Sequence, residues 1–370
     1  MAAYNNVLSV TRDQVEQHLA YHACLGDPNC DPAIAFPGYQ IPQSIIHWPA
    51  MNADPAFAPY QAPFIDYNLD GVYDPSDGDA PCILGDQALY FVFNDKGGPH
   101  LLTGGQGIGI ARIGLFNDFD LGCGDDDLVG TDAARNLTYV YNADDMDQVC
   151  LGAAGYGAQP PAFGMTIMKG PYRDDNAADQ EDPNELPAWN GMGFGDGVID
   201  NEKHGLSTAM YMYREGDPCC TDPVQSGHYY NYLRGIWKDG SPLAYGATGY
   251  PVTPTPTICH FSFPGESDPD GVGIPDGSLV TPWSDTYNPA SPDRRTISSM
   301  GPFTLEPGAH HDLLLAYVYA RAGSGGPLAS VHALQSRVDS VTAFAQTLPL
   351  WSNMREVFQD GCQEQIGQGV

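Results

Sequence analysis

Basic residues are scarce in this chain. Its 370 residues include 15 Lys and Arg against 46 Asp and Glu, which gives a formal net charge of −31. A chain this acidic repels the phosphates of nucleic acids and the surfaces of anionic membranes, so neither is expected as a partner. The carboxylates are spread in short clusters rather than gathered in one tail. That distribution favours cation binding, although a salt-tolerant acidic surface is the alternative.

Long apolar runs are also absent. No stretch is long and apolar enough to cross a membrane, so membrane insertion is not expected. Residues 1–6 contain no basic segment followed by an apolar run, which is what a signal peptide requires. We expect the chain to be a trimmed piece of a longer secreted protein, with an extracellular or cell-surface location.

Common catalytic patterns are missing too. The sequence has no HExxH zinc motif, no nucleophile elbow, no Walker loop and no dinucleotide fingerprint. No catalytic residue is therefore assigned, and an enzymatic role is not expected. The nine cysteines are an odd number, so at least one lacks a partner within the chain. Cys24 and Cys30 could close a small loop and Cys219 and Cys220 are adjacent, but the pairing stays open.

The patterns that are present predict a mostly β fold. Short apolar segments are separated by turns rich in Gly, Asp, Asn and Pro, which is typical of strands joined by loops. The expected strands are 88–93, 137–141, 163–168, 209–213 and 312–320, the last apolar on both faces and so expected in the centre of a sheet. Pro-rich residues 31–63 exclude a regular helix.

Two helices are expected near the ends of the chain. Thr11 and Gln14 form a capping-box pattern at the start of a helix over 11–24. An apolar stripe predicts a second helix over 330–347. The expected fold class is therefore a β-sandwich-like core with long Asp/Gly-rich calcium loops and a few helices, mainly near the termini.

Composition suggests two regions. Residues 1–50 carry the first helix and a Pro-rich segment, and residues 51–370 form a β-rich calcium-binding domain, in which a further boundary near 180–190 is an option.

The clearest motif is an oxygen-rich loop over residues 66–77. Calcium takes six to eight oxygen ligands, and a twelve-residue loop supplies them from positions 1, 3, 5, 7, 9 and 12, with Gly at position 6. The residues that match are Asp66, Asn68, Asp70, the carbonyl of Val72, Asp74 and Asp77, with Gly71 at the turn. Pro75 disfavours an exiting helix, so the loop resembles dockerin-like and thrombospondin-type calcium loops. An Asp/Asn-rich turn without an ion is the alternative.

Three further acidic segments are candidate Ca²⁺ sites. In the first, consecutive carboxylates repel each other by roughly 1 kcal/mol per close pair even in water unless a cation lies among them. The others match parts of a calcium loop, and ordinary acidic turns are the alternative for all three. The candidate ligands are Asp120, Asp125, Asp126 and Asp127; Asp196, Asp200 and Glu202; and Glu266, Asp268, Asp270 and Asp276.

An aromatic segment over residues 228–250 provides a different hypothesis. It includes Tyr229, Tyr230, Tyr232 and Trp237. Exposed rings would form a platform for sugars or for another protein, whereas buried rings would be core packing. A carbohydrate-binding or carbohydrate-active protein is therefore the alternative to a calcium-binding structural module, and a calcium-dependent hydrolase is a third hypothesis.

An ordered series of segments resembles a large group of secreted surface proteins of Bacteroidota. The segments are 46–50, 62–75, 78–87, 120–122, 126–130, 200–202, 229–240, 293–295 and 301–308. Members typically carry a signal peptide and a C-terminal sorting domain for type IX secretion, and neither is seen in this chain; residues 110–117 also look shortened. The resemblance implies secretion and surface display. Together with the acidic loops, it predicts a calcium-binding structural or adhesion module whose partners are surface glycans or other surface proteins.

Overall fold

A computed structural model describes most of the chain. The described residues are 7–50, 62, 64–83, 87–91, 108–150, 152, 154–175, 177, 179, 191–195, 197–214, 218–268, 273–274, 281–286, 293–305, 311 and 313–347. They divide into two compact units, with the division before Ile108. The first is called the N-terminal unit and the second the sandwich unit. The boundary considered near 180–190 lies outside the described residues.

The N-terminal unit begins with a strand that leads directly into a helix. Its elements are β1 (Val7–Thr11), α1 (Arg12–Gly26), α2 (Pro32–Ala35), α3 (Gln43–Ile46), β2 (Phe64–Ile65), β3 (Ala80–Pro81) and β4 (Gln87–Phe91). Thr11 caps α1 as expected, since its side chain accepts the Gln14 N–H while the Gln14 side chain accepts the Thr11 N–H. β1 pairs with β4 and β2 with β3, both antiparallel.

The described part of the Pro-rich stretch contains two single helical turns, which the sequence did not indicate, but no longer regular helix. Pro32 occupies the first turn of α2, where its missing N–H has no intrahelical partner to lose. Both turns are four residues long. The core of the N-terminal unit includes Val10, Ile45 and Ile65, and thus residues from both sides of position 50.

The sandwich unit contains two antiparallel sheets. Its elements are β5 (Ile108–Asn117), β6 (Asp127–Asp132), β7 (Leu137–Asn142), β8 (Met146–Asp147), β9 (Gly157–Ala158), β10 (Ala162–Lys169), β11 (Thr208–Tyr213), α4 (Ser226–Leu233), β12 (Arg294–Leu305), β13 (Leu314–Ala320) and α5 (Gly326–Ala345). The four-stranded sheet has the order β13-β10-β7-β6 and the three-stranded sheet β11-β12-β5. β8 and β9 pair as a separate ribbon.

The two larger sheets pack against each other. Met165 of β10 shares a buried cluster with Ala209 of β11 and Met300 of β12. A hydrogen bond of 2.9 Å between the hydroxyls of Thr138 and Ser298 also joins the sheets. The fold is therefore mostly β and sandwich-like, as the strand pattern predicts.

Helices cover the outer faces. Val331, Leu334 and Val338 of α5 pack on the four-stranded sheet, as the apolar stripe predicts. On the three-stranded sheet, Leu233 of α4 lies over Gly114, where a Cβ atom would come within 2.0 Å of the leucine side chain. Glycine at position 114 therefore lets α4 approach the sheet.

β13 lies at an edge of its sheet, so its expected central position is wrong. The strand is apolar on both faces because each face packs against a different part of the unit. Val318 and Ala320 pack with α5, while Leu315 belongs to the cluster between the sheets. Both faces are therefore partly covered although one strand edge has no neighbour among the described strands.

A buried ion pair connects the loop 281–286 to the sandwich. Arg294 Nε lies 2.6 Å from Asp285 Oδ2, and both side chains are at most 3% exposed. The arginine also donates to the carbonyls of Asp127 and Thr286. Burial raises the pKa of the Asp285 carboxyl to about 6, against the opposing effect of Arg294. Removing one partner would leave the other as an uncompensated buried charge.

We expect Asp285→Ala to lower the free energy of unfolding of the sandwich unit by about 3–5 kcal/mol, because Arg294 loses its counter-charge. The matched control is Asp339→Ala, which removes the partner of Arg135 from a pair whose Asp is 55% exposed. That variant should cost less than about 1 kcal/mol. Urea unfolding measures both, and equal losses would contradict the role of the buried pair.

Candidate metal centres

The loop 66–77 connects β2 to β3 in the N-terminal unit, and its carboxylates organise the turn. The Asp66 carboxylate accepts the N–H groups of Asp70 (3.2 Å) and Gly71 (2.8 Å). Asp70 accepts the N–H of Val72 at 2.8 Å. Gly71 has a φ of 77°, in the left-handed region that glycine tolerates. The expected sharp turn at the sixth loop position is therefore present.

Asp79 closes this loop, although it lies two residues beyond the motif. Its fully buried carboxylate accepts the N–H groups of Tyr67 and Asp74, both at 2.8 Å, and so holds the two ends of the loop together. Burial raises the pKa of this carboxyl. The sequence motif does not include Asp79, because a twelve-residue calcium loop ends at Asp77. The local signal for Asp79 is its place directly before the apolar residues of β3.

No three carboxylates of this loop, all of whose residues the structure describes, have oxygen atoms within 4.8 Å of one another. Asp74 accepts the N–H of Ser76 and caps a single helical turn at Pro75–Asp77. Within the part of the chain that the structure describes, a group of three metal-binding side chains with ligand atoms within 4.8 Å of each other occurs only elsewhere. Calcium binding by the 66–77 loop therefore stays a prediction.

Two histidines of α1 pack beside the end of this loop, His18 against Asp79 and His22 close to Gly78. His18 is fully buried, with Nε2 3.1 Å from the Asp79 carbonyl and Nδ1 2.8 Å from the Tyr39 hydroxyl. A carbonyl can only accept, so Nε2 carries the proton and Nδ1 accepts from Tyr39. Burial, with a smaller contribution from His22, lowers the pKa of His18 to about 4. Burial also lowers the pKa of His22.

In the sandwich unit, carboxylates from distant parts of the sequence meet. Asp118 and Asp120 follow the end of β5, and Asp293 directly precedes β12. Because β5 and β12 are antiparallel neighbours, these ends lie at the same edge of the sheet. One carboxylate oxygen from each of the three residues lies within 4.8 Å of the others. Asp118 and Asp120 are exposed, whereas Asp293 is buried.

Two arginines flank this acidic cluster, defined as Asp118, Asp120 and Asp293. Arg295 lies 2.9 Å from Asp118 and 3.4 Å from Asp293. Arg214 lies 2.8 Å from Asp293. Burial nevertheless raises the pKa of Asp293, because the two arginines oppose that effect only in part. Burial and the neighbouring Asp118 also raise the pKa of Asp120.

The three consecutive aspartates at 125–127 point to different partners. Asp125 lies 4.0 Å from Arg214. Asp126 is buried and accepts from the side chains of Asn142 and Gln148. Asp127 is buried as the first residue of β6, and its Oδ2 accepts the Leu121 N–H at 2.7 Å. Of the predicted residues in this segment, the structure brings Asp120 into the acidic cluster, and Asp118 and Asp293 are added to it.

The remaining candidates stay predictions, and those that the structure describes lie in two separate segments. Asp200 accepts the N–H of Ala177 at 2.9 Å, and Glu202 is buried. Asp268 accepts the N–H of Gly273 at 2.8 Å. Asp196, Asp270 and Asp276 lie outside the described residues.

Much of the aromatic segment 228–250 is packed inside the sandwich unit. Tyr232 and Trp237 are fully buried, and the Trp237 indole donates to the Gly249 carbonyl. Tyr229 is 49% exposed. These positions favour the packing interpretation over a continuous platform of exposed rings.

No family model, curated protein or solved structure matches the chain. Among the described residues, no helix has both the length and the apolar character that crossing a bilayer requires.

The burial of His18 predicts acid sensitivity. Its pKa is lowered in the folded state, so between about pH 6.5 and 4 the unfolded chain takes up a proton that the folded chain does not, and stability falls as the pH falls through this window. His18 should contribute a loss of about 2 kcal/mol between pH 7 and pH 5.

Urea unfolding at both pH values measures this effect. His18→Gln keeps a donor but does not titrate, so it should reduce the loss by most of that amount, whereas His332→Gln, at an exposed position on α5, should leave it unchanged. An undiminished loss in His18→Gln would contradict the assignment.

Proposed function

We propose that this chain is a calcium-binding structural or adhesion module of a secreted or cell-surface protein. The observation that carries the proposal is the acidic cluster, in which carboxylates that follow the end of β5 or directly precede β12 approach within 4.8 Å at one edge of a sheet. Carboxylate oxygens are the ligands that calcium prefers, and its flexible coordination suits residues contributed by different strands. A bound ion would tie the two strand ends together.

Electrostatics supports a cation at this edge. Two carboxylates at this separation repel by roughly 1 kcal/mol even in water, and by more where they are partly buried. Arg214 and Arg295 compensate only part of this charge, since Arg295 also pairs with Asp222 and Arg214 approaches Asp125. The chain as a whole has a net charge of −31, so further compensation by divalent ions would stabilise the folded state.

The loop 66–77 supports the same function in the N-terminal unit. Gly71, at the sixth position, has the positive φ that the sharp turn of such a loop requires, and Asp66 accepts its N–H. An ion would draw Asp70, Asp74 and Asp77 towards one centre.

The disulfides support an extracellular location. Cys24 pairs with Cys30, Cys123 with Cys150 and Cys219 with Cys220, and Cys82 is also disulfide-bonded. Disulfides persist in oxidising compartments, and with the resemblance to type IX secreted surface proteins they favour display outside the cell. Surface glycans or other surface proteins are the partners that fit such a module.

Calcium should stabilise the sandwich unit. With an affinity of ~10⁻⁴ M, 10 mM calcium would add about 2.7 kcal/mol per site, which corresponds to a rise in Tm of about 5–10 °C over chelator-treated protein. Differential scanning calorimetry with EDTA and with CaCl₂ measures the rise. An equal rise with MgCl₂ would contradict a calcium-specific site.

Asp120→Asn should reduce this rise by about half or more, because it removes one ligand charge of the acidic cluster without stripping an arginine of its closest partner. The control is Asp145→Asn, an exposed aspartate of the same unit, which should leave the rise unchanged. Identical Tm values in EDTA and CaCl₂, or an unchanged rise in Asp120→Asn, would contradict the proposal.

A further inference from the structure

A second group of oxygen atoms lies where β6 and β7 end together. Asp127 and Asn142 are cross-strand partners, so their side chains lie on the same face of the sheet. Asp126 directly precedes β6, and its Oδ2 accepts the Asn142 amide at 3.1 Å. Three side chains, one from each of two paired strands and one from the residue before β6, therefore share one small region. Asp127 is 1% exposed and Asn142 is fully buried.

Each of these side chains has one oxygen without a protein donor. Within the described residues, Asp126 Oδ1, Asp127 Oδ1 and Asn142 Oδ1 are buried and have no hydrogen-bond partner. Leaving a buried acceptor without a partner costs about 1–3 kcal/mol, and more for a charged group. Three such acceptors on neighbouring side chains are therefore an arrangement that a bound ligand would explain.

The other oxygens fix the side chains in place. Asp127 Oδ2 accepts the Leu121 N–H at 2.7 Å, and Asp126 Oδ2 also accepts from Gln148 at 2.8 Å. The free oxygens are thus held on anchored groups rather than on mobile ones. A donor set of two carboxylates and one amide oxygen is hard and anionic, which suits a divalent cation of the calcium class.

The charges around this region are mostly negative. Asp120, Asp126 and Asp147 each act to raise the pKa of the Asp127 carboxyl, and burial is the largest cause of its rise to about 8. Asp147 accepts the N–H groups of Cys123 and Tyr156. Arg294 donates to the Asp127 backbone carbonyl but pairs with Asp285. A carboxylate in this setting requires a cation or a proton.

We propose that Asp126, Asp127 and Asn142 bind a buried divalent cation of the calcium class through their Oδ1 atoms. This inference rests on the proposed calcium-binding function and adds to it a site separate from the acidic cluster. The ion would bridge β6 and β7 and hold the loop that precedes Asp127. That loop is already tied to the segment after β8 by the Cys123–Cys150 disulfide.

Isothermal titration with CaCl₂ of the chelator-treated full chain tests the site. Asp127→Asn is the neutral isostere of the protonated carboxyl, and it should bind about one calcium fewer per chain than the wild type. Asp145→Asn should bind the same number. If Asp127→Asn keeps the wild-type stoichiometry and is at least as stable, a proton rather than a cation occupies the site, and the proposal is overturned.

Asn142→Asp provides a test with an opposite sign. In EDTA, this variant should have a Tm several degrees lower than the wild type, because it buries another charge. In CaCl₂, the extra carboxylate should tighten calcium binding about tenfold or more and restore the Tm. A lower Tm that CaCl₂ does not restore would overturn the site.

The same measurements distinguish a failure of the proposed function from a failure of this inference alone. If wild-type protein binds no calcium, both fail. If Asp120→Asn loses an ion and Asp127→Asn does not, the acidic cluster stands and the buried site is rejected.

Discussion

The negative charge of a buried carboxylate must be balanced by hydrogen-bond donors, a positive charge or a proton. Buried carboxylates of this kind occur in both units of the molecule. Asp79, Asp127 and Asp147 are all nearly inaccessible to water, and each accepts backbone N–H groups that fix a turn. Such bonds organise the chain, because a charged acceptor forms stronger hydrogen bonds than a neutral one. They do not cancel the charge. The pKa values of Asp79 and Asp127 are raised, so burial outweighs the N–H donors at both positions.

In the sandwich unit, such acidic residues lie at neighbouring strand ends. Antiparallel pairing places the end of β5 beside the start of β12, and the start of β6 beside the end of β7. Acidic residues occupy these positions, and few arginines are available to balance them. Arg294 is used in the buried pair with Asp285, and Arg214 and Arg295 each serve more than one carboxylate. A divalent cation is the counter-charge that we propose for these carboxylates.

Much of the fold could be predicted because its signals are local. The capping box at Thr11 fixes the start of α1, and the stripe of Val331, Leu334 and Val338 defines the buried face of α5. Runs of apolar and aromatic residues mark β7, β10 and β11. β12 was missed because its sequence is rich in Ser and Thr and contains Gly301 and Pro302, which indicate a loop.

The sites were less predictable because they depend on strand neighbours. The segment containing Asp127 looks like a continuous acidic loop, whereas Asp127 opens β6. Asp293 lies far from Asp118 in sequence and joins it only because β5 pairs with β12. Asn142 carries no charge and directly follows the predicted strand 137–141, so nothing in the local sequence marks it as a ligand. Sequence spacing identifies the loop 66–77 as a candidate because its residues are contiguous. It does not show which strands pair, and that pairing brings Asp118 and Asp293 together.

The most direct test of the account is a crystal structure of the full chain grown in millimolar CaCl₂, with anomalous scattering used to locate the ions. We expect an anomalous peak among Asp118, Asp120 and Asp293, with carboxylate oxygens at about 2.3–2.6 Å from the ion. A well-ordered cluster in which Arg214, Arg295 and water alone neutralise these carboxylates, with no anomalous signal, would contradict it.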